Sequence, residues 1–214
     1  MENDTFNLKL LLKNNPANLS VVHSLETQQL CQKFAEDNTN NYSSKRNVGQ
    51  ATAIRNIFMG KLAEIHAKSF MENLGFPTSV NADFLQYDAN KKSFDSDLSY
   101  NIKDENFPNV HVKSCKKLDD SVPWKDSWTF QLKNNKGSGG TDNLFNNPES
   151  KDLVCFVVVK YDVVCENNAS KIYALLPWRN IINSNILKDP CVSSLIGLKK
   201  CVFYADMKEV VGAF

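Results

Sequence analysis

The chain has 214 residues, of which 42% are hydrophobic and 23% are charged. This balance is ordinary for a globular protein and excludes a wholly disordered one, and the formal net charge of +1 excludes a globally basic nucleic-acid binder. No apolar run approaches the roughly 20 residues that span a bilayer, and charged residues interrupt positions 1–13, where a signal peptide needs an apolar core. We therefore expect a cytoplasmic protein without a membrane span.

The N-terminal third is predicted to be helical. The spacing of apolar residues predicts a helix over about 18–36, and the polar Asn/Ser stretch at 37–47 predicts a linker or exposed loop. A longer helix is predicted over about 48–74, ending at Gly75, because glycine is the usual residue after a helix C-terminus. This pattern divides the chain into an N-terminal helical arm, 1–47, and a domain that covers 48–214.

After the long helix the pattern changes to short strands separated by polar runs. The segment 134–149 has no apolar period and is predicted to be a long loop or mobile flap. The strands are predicted at 79–87, 95–102, 109–115 and 128–133, then at 153–164, a Val-rich run expected at the centre of a sheet, and at 171–176, with a helix at 178–187 and a late strand at 201–204.

The six cysteines contain no CxxC pair, which argues against a structural zinc cage and against a thioredoxin-like redox motif. Cysteines in a reducing compartment usually behave as small buried hydrophobes. We therefore expect free thiols, most of them structural.

Polar side chains alternate on two successive predicted strands. Asp95 and Asp97 share one face of the first, and His111 and Lys113 share one face of the second, because alternate residues of a strand point the same way. If the two strands pair, the four polar groups converge. Val110 and the valine at 112 then face the core, and this fixes the register, since a slip by one residue would bury the lysine.

This pattern resembles the PD-(D/E)xK, or restriction-endonuclease-like, nucleases. The resemblance covers about residues 55–133 and rests on Asp97, on the strand His111-Val112-Lys113, and on the helix segment Gly60-Lys61-Leu62-Ala63-Glu64. It implies an α/β fold with a mixed central β-sheet flanked by helices, and a site in which carboxylates hold Mg²⁺.

Carried over to this chain, the resemblance implies that Asp97 is the principal metal ligand and that Glu64 is the helix carboxylate. Lys113 would position or activate the attacking water. Such residues suit phosphodiester hydrolysis, because a metal and an ammonium both stabilise the negative charge that develops on phosphate oxygens. Gln131, on the following strand, would hold the scissile phosphate or a water, as polar residues there do in relatives.

His111 departs from the family pattern, which usually has Asp or Glu two residues before the lysine. Magnesium prefers oxygen ligands, so an imidazole is a poor substitute for a carboxylate. Three interpretations remain open. The metal depends on Asp97, Glu64 and backbone oxygens; or His111 acts as a base on the water; or the site prefers Mn²⁺ or is degenerate.

Basic residues near these positions form candidate contacts with DNA phosphates. One cluster surrounds the predicted site and the other lies before and within the long helix. The candidates are Lys116, Lys117, Lys133 and Lys136 in the first cluster, and Lys45, Arg46 and Arg55 in the second.

The sequence therefore predicts a Mg²⁺-dependent DNA endonuclease that acts on double-stranded DNA. Cutting a duplex requires two sites, so a homodimer is expected. A nickase, a Holliday junction resolvase and a phage or mobile-element nuclease would use the same residues. Two other classes remain open: a catalytically inactive DNA-binding protein that retains the nuclease fold, and a protein-interaction module whose lysines never contact DNA.

Overall fold

The computed structural model describes residues 19–46, 49–77, 97–99, 108–116, 127–132 and 142–211, without the side chains of 40–46, 143 and 208–211. The predicted strand at 79–87 and most of the one at 95–102 lie outside these residues. The chain folds as a mixed α/β protein. Its elements in order are β1 (Ser20–Val22), α1 (Leu25–Arg46), α2 (Gln50–Asn73), β2 (Val110–Lys116), β3 (Ser127–Gln131), α3 (Asn143–Asn146), β4 (Leu153–Val159), β5 (Ala169–Pro177), α4 (Trp178–Ile182), β6 (Leu187–Lys188), β7 (Lys199–Phe203) and α5 (Tyr204–Val211).

The strands form two sheets. The first has the order β1-β5-β4-β2, with β2 parallel to β4 and the other pairs antiparallel. Leu98 bridges Val110 in antiparallel fashion through two backbone hydrogen bonds of 2.9 Å, so the two polar segments are joined at this position. The second sheet has the order β3-β7-β6.

Two apolar layers cover the two faces of the first sheet. Every residue of β4 is buried, and its side chains alternate between the layers, which confirms the prediction of a central strand. One layer lies beneath α2, which packs against β2, β4 and β5, with α1 packed on α2 in turn. The other layer contains Trp128 and Phe130 of β3. Strand β3 follows β2 in the chain but pairs with β7, and its two aromatic side chains are buried against the far face of β4.

Helix α2 ends as its sequence predicts. The N–H of Phe76 donates to the carbonyl of Met71, and the N–H of Gly75 donates to the carbonyl of Glu72, each at 3.0 Å. This pattern is the Schellman motif, which needs a left-handed residue after the helix. Gly75 supplies it with a φ of 89°.

The predicted linker at 37–47 is wrong, because α1 continues to Arg46. Two polar side chains inside this stretch bond back to the preceding turn: the amide of Asn38 donates to the carbonyl of Phe34 at 2.8 Å, and the hydroxyl of Thr39 donates to that of Ala35 at 2.5 Å. Polar composition therefore does not stop the helix here, and no glycine or proline occurs in the stretch.

Other element boundaries also differ from the sequence prediction. Helix α1 begins at Leu25 rather than near 18, because Ser24 accepts the N–H of Thr27 as an N-cap and the residues before it form β1. The predicted helix at 178–187 ends at Ile182, and the loop predicted at 134–149 contains the short helix α3. The six cysteines are free thiols, as predicted. None of the helices in the described ranges has the length and apolarity that crossing a membrane requires.

Candidate active site

Asp97 and Lys113 lie on the same side of the first sheet, facing the layer that contains β3. Asp97 precedes the bridge residue Leu98, and its Oδ2 accepts the backbone N–H of Val112 at 2.6 Å. The alternation of β2 then turns Lys113 to this side, where its Nζ lies 5.2 Å from the centre of the Phe130 ring. Local strand pairing therefore brings together the two residues that the sequence selects.

A second carboxylate, Asp142, completes the group. Its Oδ1 lies 2.8 Å from Nζ of Lys113, and its Oδ2 accepts the backbone N–H of Gln131 at 2.7 Å. Asp142 stands at the N-cap of α3, but its side chain makes no capping hydrogen bond, because both oxygens face Lys113 and β3. The next residues fix its position, since Leu144 is fully buried and Phe145 contacts the rings of Phe130 and Trp178.

The two carboxyl groups titrate in opposite directions. Burial raises the pKa of Asp97 above its ordinary value, and the Lys113 charge, the Val112 N–H and His111 offset this only in part. Burial would raise the pKa of Asp142 as well, but the charge and hydrogen bond of Lys113, together with the Gln131 N–H, bring it below the ordinary value. Environments that separate two carboxyl pKa values in this way are typical of functional sites. The Lys113 ammonium neutralises the charge of Asp142, whereas the interactions of Asp97 do not fully offset the burial of its carboxyl group.

His111 has a different partner. Its imidazole is 4% exposed, and its Nε2 lies 3.2 Å from Oδ2 of Asp152, just before β4. The imidazole is on the same side of β2 as Lys113 and contributes to the field at Asp97. This contact with Asp152 orients the imidazole ring.

Of two other predicted site residues, Glu64 lies on α2 and Gln131 lies beside Asp142. Glu64 pairs with Lys61 at 2.5 Å, and the Lys61 ammonium lies over the ring of Phe34, so both belong to the contact between α1 and α2. The charged groups that shift the pKa of Asp97 are instead Lys113, His111 and Asp142. Gln131 contributes its backbone N–H to Asp142, and its side-chain amide contacts the carbonyl of Leu198 at 3.4 Å.

Two of the predicted DNA contacts are described. Lys116 and Arg55 both reach Asp162, Lys116 at 2.9 Å and Arg55 at 4.0 Å. Lys45 and Arg46 lie in the last turns of α1, where side chains are not described, and the remaining lysines, 117, 133 and 136, lie outside the described residues.

Sequence reasoning missed Asp142 and Asp152. Asp142 follows a glycine-rich run and stands before a short apolar helix, a position that the sequence predicts as a helix cap at best. Its contact with Lys113 depends on how the second sheet packs on the first. Asp152 directly precedes a buried strand, but a partner for His111 there appears only once β2 and β4 are known to be parallel neighbours.

No protein family model matches the chain, and neither a characterised protein nor a solved structure shows significant similarity to it.

Proposed function

We propose that this chain is a metal-dependent DNA endonuclease with a restriction-endonuclease-like core. The observation that carries the proposal is one ammonium, Lys113, which pairs with Asp142 at 2.8 Å and is close enough to lower the pKa of a second carboxylate, Asp97. The fold is compatible with it by analogy only: a helix packs on a mixed sheet in which an antiparallel bridge and a parallel strand flank the lysine strand β2. Cutting both strands of a duplex would use two copies of the chain as a homodimer.

The residues at the site suit Mg²⁺ or Mn²⁺. Magnesium in phosphoryl-transfer sites is usually held by one or two carboxylates together with waters and substrate phosphates. Asp97 and Asp142 provide two carboxylates against the one ammonium of Lys113, so the group carries one net negative charge when both are ionised, and a divalent cation together with one phosphate charge would neutralise it. In the described part of the chain, no three His, Cys, Asp or Glu side chains form a metal-holding group, so waters and phosphate oxygens would complete the coordination. When bound, the cation would stabilise charge on the phosphate and acidify a water.

Each residue then has a distinct role. The Val112 N–H fixes the Asp97 carboxylate, with its second oxygen left to the cation and the water. Asp142 holds Lys113 in place before substrate binds. Asp142 and Asp97 would hold the cation, and Lys113 would then contact the scissile phosphate and stabilise its negative charge. In this proposal Asp142 supplies, from another element, the second carboxylate that the family usually has at the position of His111.

Cleavage of supercoiled plasmid DNA in Mg²⁺ or Mn²⁺ tests the proposal. We expect Asp97→Asn, Lys113→Ala and Asp142→Asn each to lower the cleavage rate by about 100-fold or more, the usual effect of removing one preorganised charge. Asp189→Asn is the matched control, because Asp189 forms a 2.8 Å ion pair with Lys200 at an exposed position. Unchanged cleavage in the three site variants would refute the assignment, and mapped product ends would distinguish a nickase or junction resolvase from a duplex cutter.

A catalytically inactive DNA-binding protein is the second candidate. It is favoured by the Lys113–Asp142 ion pair, which neutralises the lysine, and by the absence of a three-ligand metal group among the described residues. In that case the wild-type chain would bind DNA equally well in EDTA and in Mg²⁺ and would cut none of it.

A further inference from the structure

The loop that follows β4 presents charged and aromatic side chains, and its Asp162 reaches the end of β2 and helix α2. Lys160 and Tyr161 are exposed, and the Lys160 ammonium lies 4.9 Å from the centre of the Tyr161 ring. Asp162 lies beside them and contacts Lys116 at the end of β2 and Arg55 on α2. We call these five residues the Asp162 surface.

The loop is held by a buried amide. Asn168 is fully buried, and its side chain donates to the carbonyls of Tyr161 and Val163 at 3.2 and 3.0 Å and accepts the N–H of Tyr161 at 3.2 Å. These three hydrogen bonds fix the backbone on both sides of Asp162. Ligand binding here therefore requires little loss of conformational entropy in the loop backbone.

Charge on the Asp162 surface is unbalanced. Three cations, Lys116, Arg55 and Lys160, stand against the single carboxylate of Asp162, which leaves an excess of two positive charges. Partial burial would raise the pKa of Asp162, but the hydrogen bond and charge of Lys116 and the charge of Arg55 lower it. Asp162 is therefore ionised at neutral pH and occupies the position between two cations that an external anion would take.

Arg55 is the more available of the two cations. Its side chain is 56% exposed, and its 4.0 Å approach to Asp162 is at the outer limit of an ion pair. Lys116 is 33% exposed and bonds Asp162 at 2.9 Å. An anion with oxygens on two sides can engage both cations together, whereas Asp162 engages Lys116 closely and Arg55 weakly.

We propose that the Asp162 surface binds the phosphate backbone of double-stranded DNA, and that Asp162 is an internal competitor whose place a phosphate takes. The identity of the partner rests on the proposed nuclease function, but the surface does not include the Asp97 site. Because Lys116 points to the opposite face of β2 from Lys113, substitutions here leave the cleavage residues in place.

The test is the binding of a fluorescein-labelled DNA duplex in EDTA, followed by fluorescence anisotropy over a range of salt concentrations. We expect Asp162→Asn to tighten binding several-fold, since it removes the competitor and keeps the shape. Arg55→Gln and Lys116→Gln together should weaken binding about tenfold and reduce the slope of log K against log salt by about 0.9 per cation removed. Asp162→Ser is a second variant with the same expected direction, and melting temperatures establish that each variant is folded.

Lys188→Gln is the matched control, because Lys188 forms a 2.8 Å ion pair with Asp206 and is 49% exposed. It should leave both affinity and slope unchanged. The proposal is overturned if both Asp162 variants bind DNA no more tightly than the wild type, or if the double variant keeps the wild-type slope. If the wild-type chain binds DNA in this way but does not cut it, the proposed function is contradicted and the proposed DNA-binding surface is supported. If the chain cuts DNA but all variants bind it equally, the proposed function is supported and the DNA-binding surface is contradicted.

Discussion

The Lys113 ammonium lies 2.8 Å from Oδ1 of Asp142, and this ion pair joins β2 to the segment that begins α3. Both side chains are largely buried, with 16% and 19% of their surfaces exposed. The second oxygen of Asp142 is bonded to the backbone of β3, so the pair also ties the second sheet to the first. The same contact can stabilise the fold and prepare the lysine for a phosphate, and the two roles can be measured separately.

A double-mutant cycle measures the structural role. We expect Lys113→Met and Asp142→Asn, singly and together, to give a coupling free energy of about 1 to 3 kcal/mol in urea unfolding, as for charged hydrogen bonds shielded from water. The exposed pair of Lys200 and Asp189 has the same 2.8 Å separation, and its cycle should give about 0.5 kcal/mol or less. Equal coupling in the two cycles would mean that burial adds nothing to the Lys113 pair.

Asp97 is expected to be a residue that costs stability and binds a cation. Burial raises its pKa, so the ionised form is disfavoured in the folded chain. The free energy of unfolding therefore decreases as the pH rises above the pKa that Asp97 has in the unfolded chain. Asp97→Asn keeps an oxygen for the Val112 N–H and removes the charge. It should therefore raise the melting temperature at pH 7 in EDTA.

Divalent cations should stabilise the wild type relative to the Asp97→Asn variant when melting temperatures are measured in their presence. Mn²⁺ or Mg²⁺ should raise the melting temperature of the wild type, with about 2.7 kcal/mol of stabilisation at a concentration of 100 times Kd, and should leave that of Asp97→Asn unchanged. Ca²⁺ serves as a second divalent probe. An equal shift in the wild type and in the variant would place the bound cation somewhere other than Asp97.

The parts of the fold that the sequence predicts well are those set by local pattern. Helix α2 combines a long apolar period with a glycine that permits the left-handed turn at its end, and β4 has an unbroken apolar run that only a doubly covered strand accommodates. The alternation on β2 and the Leu98 bridge place Asp97 beside Lys113 for the same reason. These features depend on neighbours within one or two elements.

Features that depend on distant partners are not predictable in this way. Strand β1 has three residues and exists because it pairs with β5, about 150 positions away in the chain. His111 turns to Asp152 and Lys113 to Asp142 because β4 and the second sheet lie beside β2, and neither partner has a sequence pattern of its own. The family pattern also selects Glu64, but its partner Lys61, one turn earlier on α2, lies over the Phe34 ring because α1 packs on α2.

Two buried histidines contact the same serine hydroxyl, and we expect the protein to lose stability in mild acid for this reason. Nε2 of His23 and Nδ1 of His66 lie 2.8 and 2.7 Å from Oγ of Ser170, which joins the residue after β1 to α2 and β5. Burial, followed by the charge of His66, lowers the pKa of His23 from 6.5 to about 4. Between these two pKa values His23 is protonated in the unfolded chain but neutral in the folded chain, so the free energy of unfolding decreases as the pH falls.

The fall in the free energy of unfolding should begin near pH 6.5, end near pH 4 and amount to at most about 3 kcal/mol from His23. Urea unfolding from pH 7 to pH 4 measures it. His23→Gln keeps a hydrogen-bonding group without titration, so its unfolding free energy should change less over the same range. A pH profile identical to that of the wild type would show that His23 does not control the acid sensitivity.

Two buried tryptophans offer a matched pair for a last measurement. The indole N–H of Trp128 donates to the carbonyl of Val157 at 2.9 Å, whereas that of Trp178 is buried without a hydrogen-bond partner among the described residues. Both rings are fully buried, and both contact Phe130 or Phe156 in the layer between the sheets. Substitution by phenylalanine removes comparable apolar area at the two positions.

The difference between the two substitutions therefore isolates the hydrogen bond. Trp128→Phe also leaves the Val157 carbonyl without its indole donor, so it should destabilise the chain by about 1 to 2 kcal/mol more than Trp178→Phe, which relieves an unsatisfied donor while losing the same contacts. Urea unfolding at pH 7 provides both values under one condition. Equal destabilisation by the two variants would mean that the hydrogen bond of Trp128 contributes no net stability. Trp178 also packs against Phe145, which lies close to Asp142, so the Trp178→Phe variant should cleave DNA more slowly even where its stability is unchanged.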